Sequence, residues 1–120
     1  MMIKIAIPII LIGALFLVFG LPFRTTGMTT LNTEDYVIID VRTYPEYIES
    51  RIPESILMPY DNIENMILNQ EIDKDETIVV YCRTGRRSSI AKEKLVSMGY
   101  TNVIDIGGIV DWNGPTISGP

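Results

Sequence analysis

Four short runs rich in β-branched residues punctuate the chain: Tyr36–Val41, Ile56–Met58, Thr77–Tyr81 and Val103–Ile106. They are nearly continuous in hydrophobicity, as strands buried on both faces of a parallel sheet are. Between them the pattern changes to helix signals. Thr43 with Glu46, and Asp61 with Glu64, have the spacing of an N-cap residue answered by an acid three positions on, so a helix is expected to begin at each. A third helix is expected from about Arg87 to Met98, with Ala91, Leu95 and Met98 on one face and Gly99 capping its carboxyl end. Strands alternating with helices predict a three-layer α/β/α domain around a short parallel sheet.

The start of the chain follows a different pattern. Ile5 to Phe23 is a 19-residue stretch without charge, bracketed by Lys4 and Arg24. A membrane-spanning helix needs about 20 apolar residues, and a secretory signal core about 7 to 15, so length favours an N-terminal hydrophobic helix acting as an anchor. Gly20 and Pro22 as helix breakers, with the small residues Thr25-Thr26-Gly27 after them, keep a cleaved signal peptide open. Either reading divides the chain into residues 1–27 (anchor or signal, and tether) and residues 28–120 (folded domain). Lys4 and the terminal amine outweigh Arg24, which puts the start in the cytoplasm and the domain outside, periplasmic where a periplasm exists. The 5–23 run cannot be a core helix, because so short a chain could not cover it on all sides.

Composition narrows the chemistry. At 120 residues, the chain has room for one small domain beyond the apolar run. Net charge is −5, and without Lys4 and Arg24 eight basic residues face fifteen acidic ones. Three of those eight, Arg83, Arg86 and Arg87, crowd into five positions instead of forming a stripe, which excludes nucleic acid and favours a small anion. One cysteine and no histidine exclude an internal disulfide and a zinc site of the usual kind, and no metal or cofactor is expected. Any cysteine chemistry must obtain its thiolate from electrostatics alone.

That cysteine, Cys82, directly follows an expected strand and opens the loop Cys82-Arg83-Thr84-Gly85-Arg86-Arg87-Ser88 that feeds the third helix. Open α/β sheets place their sites there. Successive N–H groups in such a loop can form an anion-holding nest, to which the helix start adds its positive end. Lowering a thiol pKa by about 2 units takes about 2.7 kcal/mol. A helix terminus supplies up to ~2 kcal/mol of that, and loop amides with arginines can supply the rest. Three neighbouring arginines argue against a merely buried structural cysteine.

These residues resemble the rhodanese-like sulfurtransferases over about residues 36 to 112. The Cys82–Ser88 loop is similar to the family's active-site loop. Asp40-Val41-Arg42 with Glu46-Tyr47 resembles its first signature, Ile52-Pro53 to Pro59 its second, and Gly107-Gly108 with Trp112 its closing one. The short ending and apolar leader look most like the small single-domain periplasmic members of the phage-shock response. The resemblance implies a parallel sheet with helices on both faces. It also implies a double displacement, in which a small anionic donor such as thiosulfate gives sulfur to Cys82 and a thiophilic acceptor (cyanide, a thiol or a partner protein) removes it. On that basis Arg86 and Arg87 bind the donor's oxyanion, and the N–H groups of Arg83, Thr84, Gly85, Arg86, Arg87 and Ser88 hold the outer sulfur.

Two other readings stay open: a sulfur carrier with little free turnover, and a phosphatase or arsenate reductase of the same fold. The second is disfavoured because four residues, not five, separate Cys82 from Arg87, a loop better fitted to one sulfur atom than to a phosphoryl group. Asp40 and Arg42 are read as structural, the acid tying down loop amides and the arginine pairing with an acid such as Glu46. Trp112 is read as packing against the last helix, and Gly107 with Gly108 as a tight turn. The chain departs from the family at Ser50-Arg51, where Gly-His is usual, and at Glu54-Ser55, where Gly-Ala is usual, so that turn is expected to be built differently. Little room remains before Tyr36 for the family's first strand and helix, which points to loss of an edge strand.

Overall fold

The structure, a computed structural model, describes residues 36–120. The apolar run 5–23, the 27/28 boundary and the question of a strand before Tyr36 lie outside the described residues. Among the described residues no helix is long and apolar enough to cross a membrane.

In chain order the elements are β1 (Val37–Asp40), α1 (Tyr44–Glu49), β2 (Ile56–Leu57), α2 (Ile63–Ile67), β3 (Ile78–Cys82), α3 (Arg86–Ser97) and β4 (Val103–Gly108), followed by a 3-10 turn at Ile109–Asp111. The four described strands form one sheet in the order β2-β1-β3-β4, parallel at every pairing. The expected strands are present, with β3 taking in Cys82 itself and β4 running two residues past Ile106. Helices flank the sheet, as the alternating pattern required.

Topology fixes where a site can form. From β1 the chain moves outward to β2, whereas from β3 it moves the other way to β4. Right-handed crossovers then put α1 on one face of the sheet and α2 with α3 on the other. The connections diverge between the adjacent strands β1 and β3, opening a crevice at their carboxyl ends. Asp40 ends β1 and Cys82 ends β3, and in the register between them Asp40 pairs with Tyr81.

The core lies between the sheet and the helices, where Ile39, Val41, Met58, Ile63, Ile67, Ile78, Val80, Ala91 and Leu95 are all fully buried. Ser88, Ala91 and Leu95 are the buried residues of α3, one stripe of its surface, and Gly99 follows the helix at φ +103 as its carboxyl cap requires. The Thr43 signal is realised as a capping box: Glu46 N–H donates to the Thr43 hydroxyl and Thr43 N–H to Glu46 Oε1. Asp61 is a correction. Asn62 N–H bonds back to the Pro59 carbonyl, so Asp61 is used up in that turn, and α2 starts after Asn62 without a side-chain cap.

Both family departures have a structural account. Arg51 is 9% exposed, stacks over Tyr47 at 4.3 Å and donates to the carbonyls of Tyr47 (3.1 Å) and Gly119 (2.6 Å). With the Arg51–Ile117 bridge it straps the carboxyl-terminal tail to the domain. Glu54 has φ +73, and among the described residues it is the one non-glycine with positive φ. The turn there keeps a left-handed residue, the conformation glycine adopts freely.

An L-residue in that conformation carries roughly 1–2 kcal/mol of strain, of which the extra unfolded-state freedom of glycine returns about 0.5–1. Glu54→Gly should therefore raise stability by roughly 0.5–1 kcal/mol, seen as a melting temperature a few degrees higher. An unchanged or lower midpoint would mean that the exposed Glu54 side chain makes a compensating contact.

Candidate active site

The end of β3 and the start of α3 are joined by Arg83-Thr84-Gly85. Gly85 takes φ +113 at the helix N-cap and supplies no side chain to cap it. The first amides of a helix need acceptors from outside its own ladder. Here the acceptor is the Cys82 sulfur: Gly85 N–H reaches Sγ at 2.9 Å, and the backbone N–H groups of Ser88 and Arg87 also favour its anionic form. The sulfur thus lies at the amino-terminal end of α3, where the helix favours an anion.

Cys82 is 1% exposed. Burial, the strongest single influence, pushes its thiol pKa up. The Ser88 hydroxyl and the N–H groups of Ser88, Gly85 and Arg87 together outweigh it, and the pKa falls below the ordinary thiol value. No histidine takes part.

The loop is pressed from behind by β4. A Cβ on Gly108 would lie 2.2 Å from the Arg83 carbonyl oxygen and 2.7 Å from Thr84 Cα, so only glycine lets the strand approach. Between Val80 and Cys82 the pairing with β4 slips by a bulge, and Val110 N–H then bonds to the Arg83 carbonyl at 3.3 Å. Gly107, at φ +84, makes the turn. Trp112 caps the 3-10 turn, and its ring lies across Gly114 while Nε1 donates to the Pro115 carbonyl.

The arginines divide into two kinds. Arg87 makes a two-pronged pair with Glu46, Nη1 to Oε1 at 2.8 Å and Nη2 to Oε2 at 2.9 Å, so its charge is already balanced. Arg83 and Arg86 are exposed and make no ion pair among the described residues, Arg86 lying 5.9 Å over the Tyr60 ring. Thr84 is also at the exposed rim. Surface concavities beside Lys92 and Val96 on α3, about 590 Å³, and beside Tyr36 and Ile56, about 210 Å³, do not include Cys82.

A family model described as a rhodanese-like domain matches residues 28–115. The chain belongs to the rhodanese-like family. It is 38% identical over 81 residues to the thiosulfate sulfurtransferase PspE of Escherichia coli K12, covering 68% of this chain and 78% of that one. A protein named sulfurtransferase from Allochromatium vinosum is 39% identical over 82 residues, covering 68% and 75%. A solved structure described as a rhodanese with anions from E. coli matches with a TM-score of 0.66 at 37% identity, over 70% of this chain and 99% of that chain.

Within this rhodanese domain, most of the residues singled out from sequence converge. Cys82 through Ser88 form one loop, and Glu46 joins it through Arg87. Arg42 corrects an expectation: its acid is Asp40, at 2.7 Å, because Glu46 is taken by Arg87 and by the Thr43 cap. Trp112 stands apart on the tail turn. Sequence reasoning missed Tyr81, Ser55 and Asp105. Tyr81 read as one more strand residue, and Asp105, a charge inside the apolar run Val103–Ile106, was the available signal.

Glu46 is the titrating member of the loop's support. The hydrogen bond from Arg87, opposed by burial and helped by Thr43, lowers its carboxyl from 4.5 to about 2. A carboxyl depressed on folding adds stability that is complete above its unfolded pKa and disappears as pH falls toward the folded value. Wild-type stability should therefore decline between roughly pH 4.5 and pH 2 by on the order of 1 kcal/mol, allowing for solvent screening. Glu46→Gln should lack this component, so denaturant unfolding across that window should show a shallower slope. Equal slopes would assign the acid sensitivity elsewhere.

Proposed function

We propose that this rhodanese-like protein is a sulfurtransferase that carries sulfur as a persulfide on Cys82. The seating of the Cys82 sulfur at the start of α3, where it accepts Gly85 N–H and the amides of Arg87 and Ser88 favour its anionic form, carries the reading. The names of its relatives, sulfurtransferase and thiosulfate sulfurtransferase, support it. The thiolate attacks the outer sulfur of thiosulfate; a new S–S bond forms, and the old one breaks with its electron pair leaving on sulfite. The outer sulfur, now terminal and anionic, takes up the amides of the nest from Arg83 to Ser88. A thiophile such as cyanide then attacks that sulfur, leaves as thiocyanate and returns Cys82 to the thiolate. Arg83 and Arg86 draw in the anionic donor, and Arg87, held by Glu46, keeps the loop wrapped around the sulfur.

Thiosulfate alone should leave the intact protein heavier by one sulfur atom, and cyanide should restore the original mass. Cys82→Ser should show neither change, because a serine hydroxyl stays protonated at neutral pH. At limiting thiosulfate the gain should slow in an Arg83→Ala, Arg86→Ala double variant, and in wild type at high salt. A mass gain that persists in Cys82→Ser, or its absence in folded wild type offered several donors, would remove the proposal.

A second reading, that of a sulfur carrier, is favoured by 32% identity over 84 residues to the putative sulfur carrier protein YrkF of Bacillus subtilis, covering 69% of this chain and 44% of that protein. Steady turnover with thiosulfate and cyanide supports the enzyme; a persulfide that forms once and persists supports the carrier.

We also propose that residues 5–23 anchor the protein with its domain outside the cytoplasm, on the strength of the 19-residue uncharged run between Lys4 and Arg24. Carbonate-washed membranes should retain the full-length chain, and protease added to intact spheroplasts should digest the domain. Release of a shortened soluble form would indicate a cleaved signal, and protection would reverse the orientation.

A further inference from the structure

Ser88 is fully buried on α3 and has a single hydroxyl proton to give. Two acceptors are within its reach, Asp105 Oδ1 at 2.7 Å and the Gly85 carbonyl at 3.2 Å, while the Cys82 sulfur, 3.5 Å away, faces Ser88 Oγ as a donor. The carboxylate is both nearest and charged, so it takes the proton. Asp105 is itself fixed, since the same oxygen accepts Gly107 N–H at 2.8 Å across the β4 bulge.

We propose that Asp105 is a positioning residue for Cys82: by engaging the Ser88 proton, it leaves the Ser88 oxygen facing the sulfur as an acceptor. The inference rests on the reading of Cys82 as the reactive sulfur. In this arrangement the neutral thiol can donate its proton to Ser88 Oγ, whereas a thiolate faces lone pairs. The Ser88 hydroxyl lowers the thiol pKa by turning to the sulfur, and it can do so only by giving up its charge-assisted bond to Asp105, which limits that contribution. The carboxylate's own charge acts in the same direction. The backbone amides pull the thiol toward ionisation, and Asp105 holds the pull in check. A thiol attacks sulfur best when its pKa is near the ambient pH, because nucleophilicity falls along with pKa. Asp105 sets that balance.

The test is the pH dependence of iodoacetamide alkylation of Cys82 in the full chain, which reads the thiol pKa whether or not sulfur transfer occurs. Asp105→Asn removes the charge but keeps an oxygen for Gly107 N–H, and it should lower the Cys82 pKa by about one unit. Asp105→Ser, which also offers an oxygen to that amide, should shift it the same way and serves if the asparagine variant does not fold. In a Ser88→Ala background either substitution should produce less than half the shift. No shift in a folded Asp105 variant would overturn the proposal, and so would a full shift without Ser88, which would reduce Asp105 to a bare charge. A normal set of shifts with no persulfide formation would instead leave this inference standing and sink the sulfur-transfer reading.

Discussion

Asp40 has no solvent exposure, and a carboxylate so placed persists only where its lone pairs meet donors. Oδ1 accepts from the N–H and Nε of Arg42, both at 2.9 Å, while Oδ2 accepts from Arg42 Nη2 at 2.7 Å and the Tyr81 hydroxyl at 2.8 Å. Arg42 continues to the Ser50 carbonyl, and the Tyr81 oxygen receives Ile52 N–H and meets the Ser55 hydroxyl. One buried ion therefore joins the ends of β1 and β3 to the turn that follows α1. Burial, above all, pushes the Tyr81 hydroxyl up to about 12, so it remains a protonated donor at any neutral pH. Removing either Asp40 or Arg42 alone would leave an unpaired buried charge, an effect usually of about 3–5 kcal/mol.

The Cys82 loop inherits this order through Glu46. The Arg42 turn fixes Thr43, Thr43 and Glu46 close the capping box of α1, and the same Glu46 carboxylate grips Arg87 in the first turn of α3. On the opposite side Gly108 presses the Arg83 and Thr84 backbone into the nest. The amides around Cys82 thus point at the sulfur because two neighbouring elements hold the loop, and neither hold depends on a bound molecule. Such preorganisation suits a site that must stabilise charge without reorganising during reaction.

Local signals in the sequence located the strands, the Thr43 cap, the Gly99 cap and the Cys82 loop, because each depends on residues within a few positions of one another. The family resemblance added the relevance of Asp40, Arg42 and Glu46, but not their partners. Pairings such as Glu46 with Arg87, separated by 41 positions, and Tyr81 with Asp40, also separated by 41, are set by strand order and register. Pattern reading had no access to those. Arg51 illustrates the same limit: its partner at Gly119 is 68 positions away, so an apparent break in the turn signature is in fact a clamp on the tail. Asp61 failed for a local reason, since the turn ahead of α2 competed for the same residues.

The two kinds of arginine separate two physical tasks. A charge that is already paired adds little to long-range attraction, so Arg87 with Glu46 contributes geometry, while the unpaired and exposed Arg83 and Arg86 contribute field. Backbone amides around the sulfur carry partial charges that neither titrate nor lie open to screening by salt. On the sulfur-transfer reading, encounter with an anionic donor is then sensitive to ionic strength, and the stabilisation of anionic sulfur is not. On the same reading, a site without histidine can work this way because its thiolate depends on fixed dipoles instead of a titrating partner. The side chains that do bear on the sulfur, Ser88 and Asp105, are left to adjust how strongly those dipoles act.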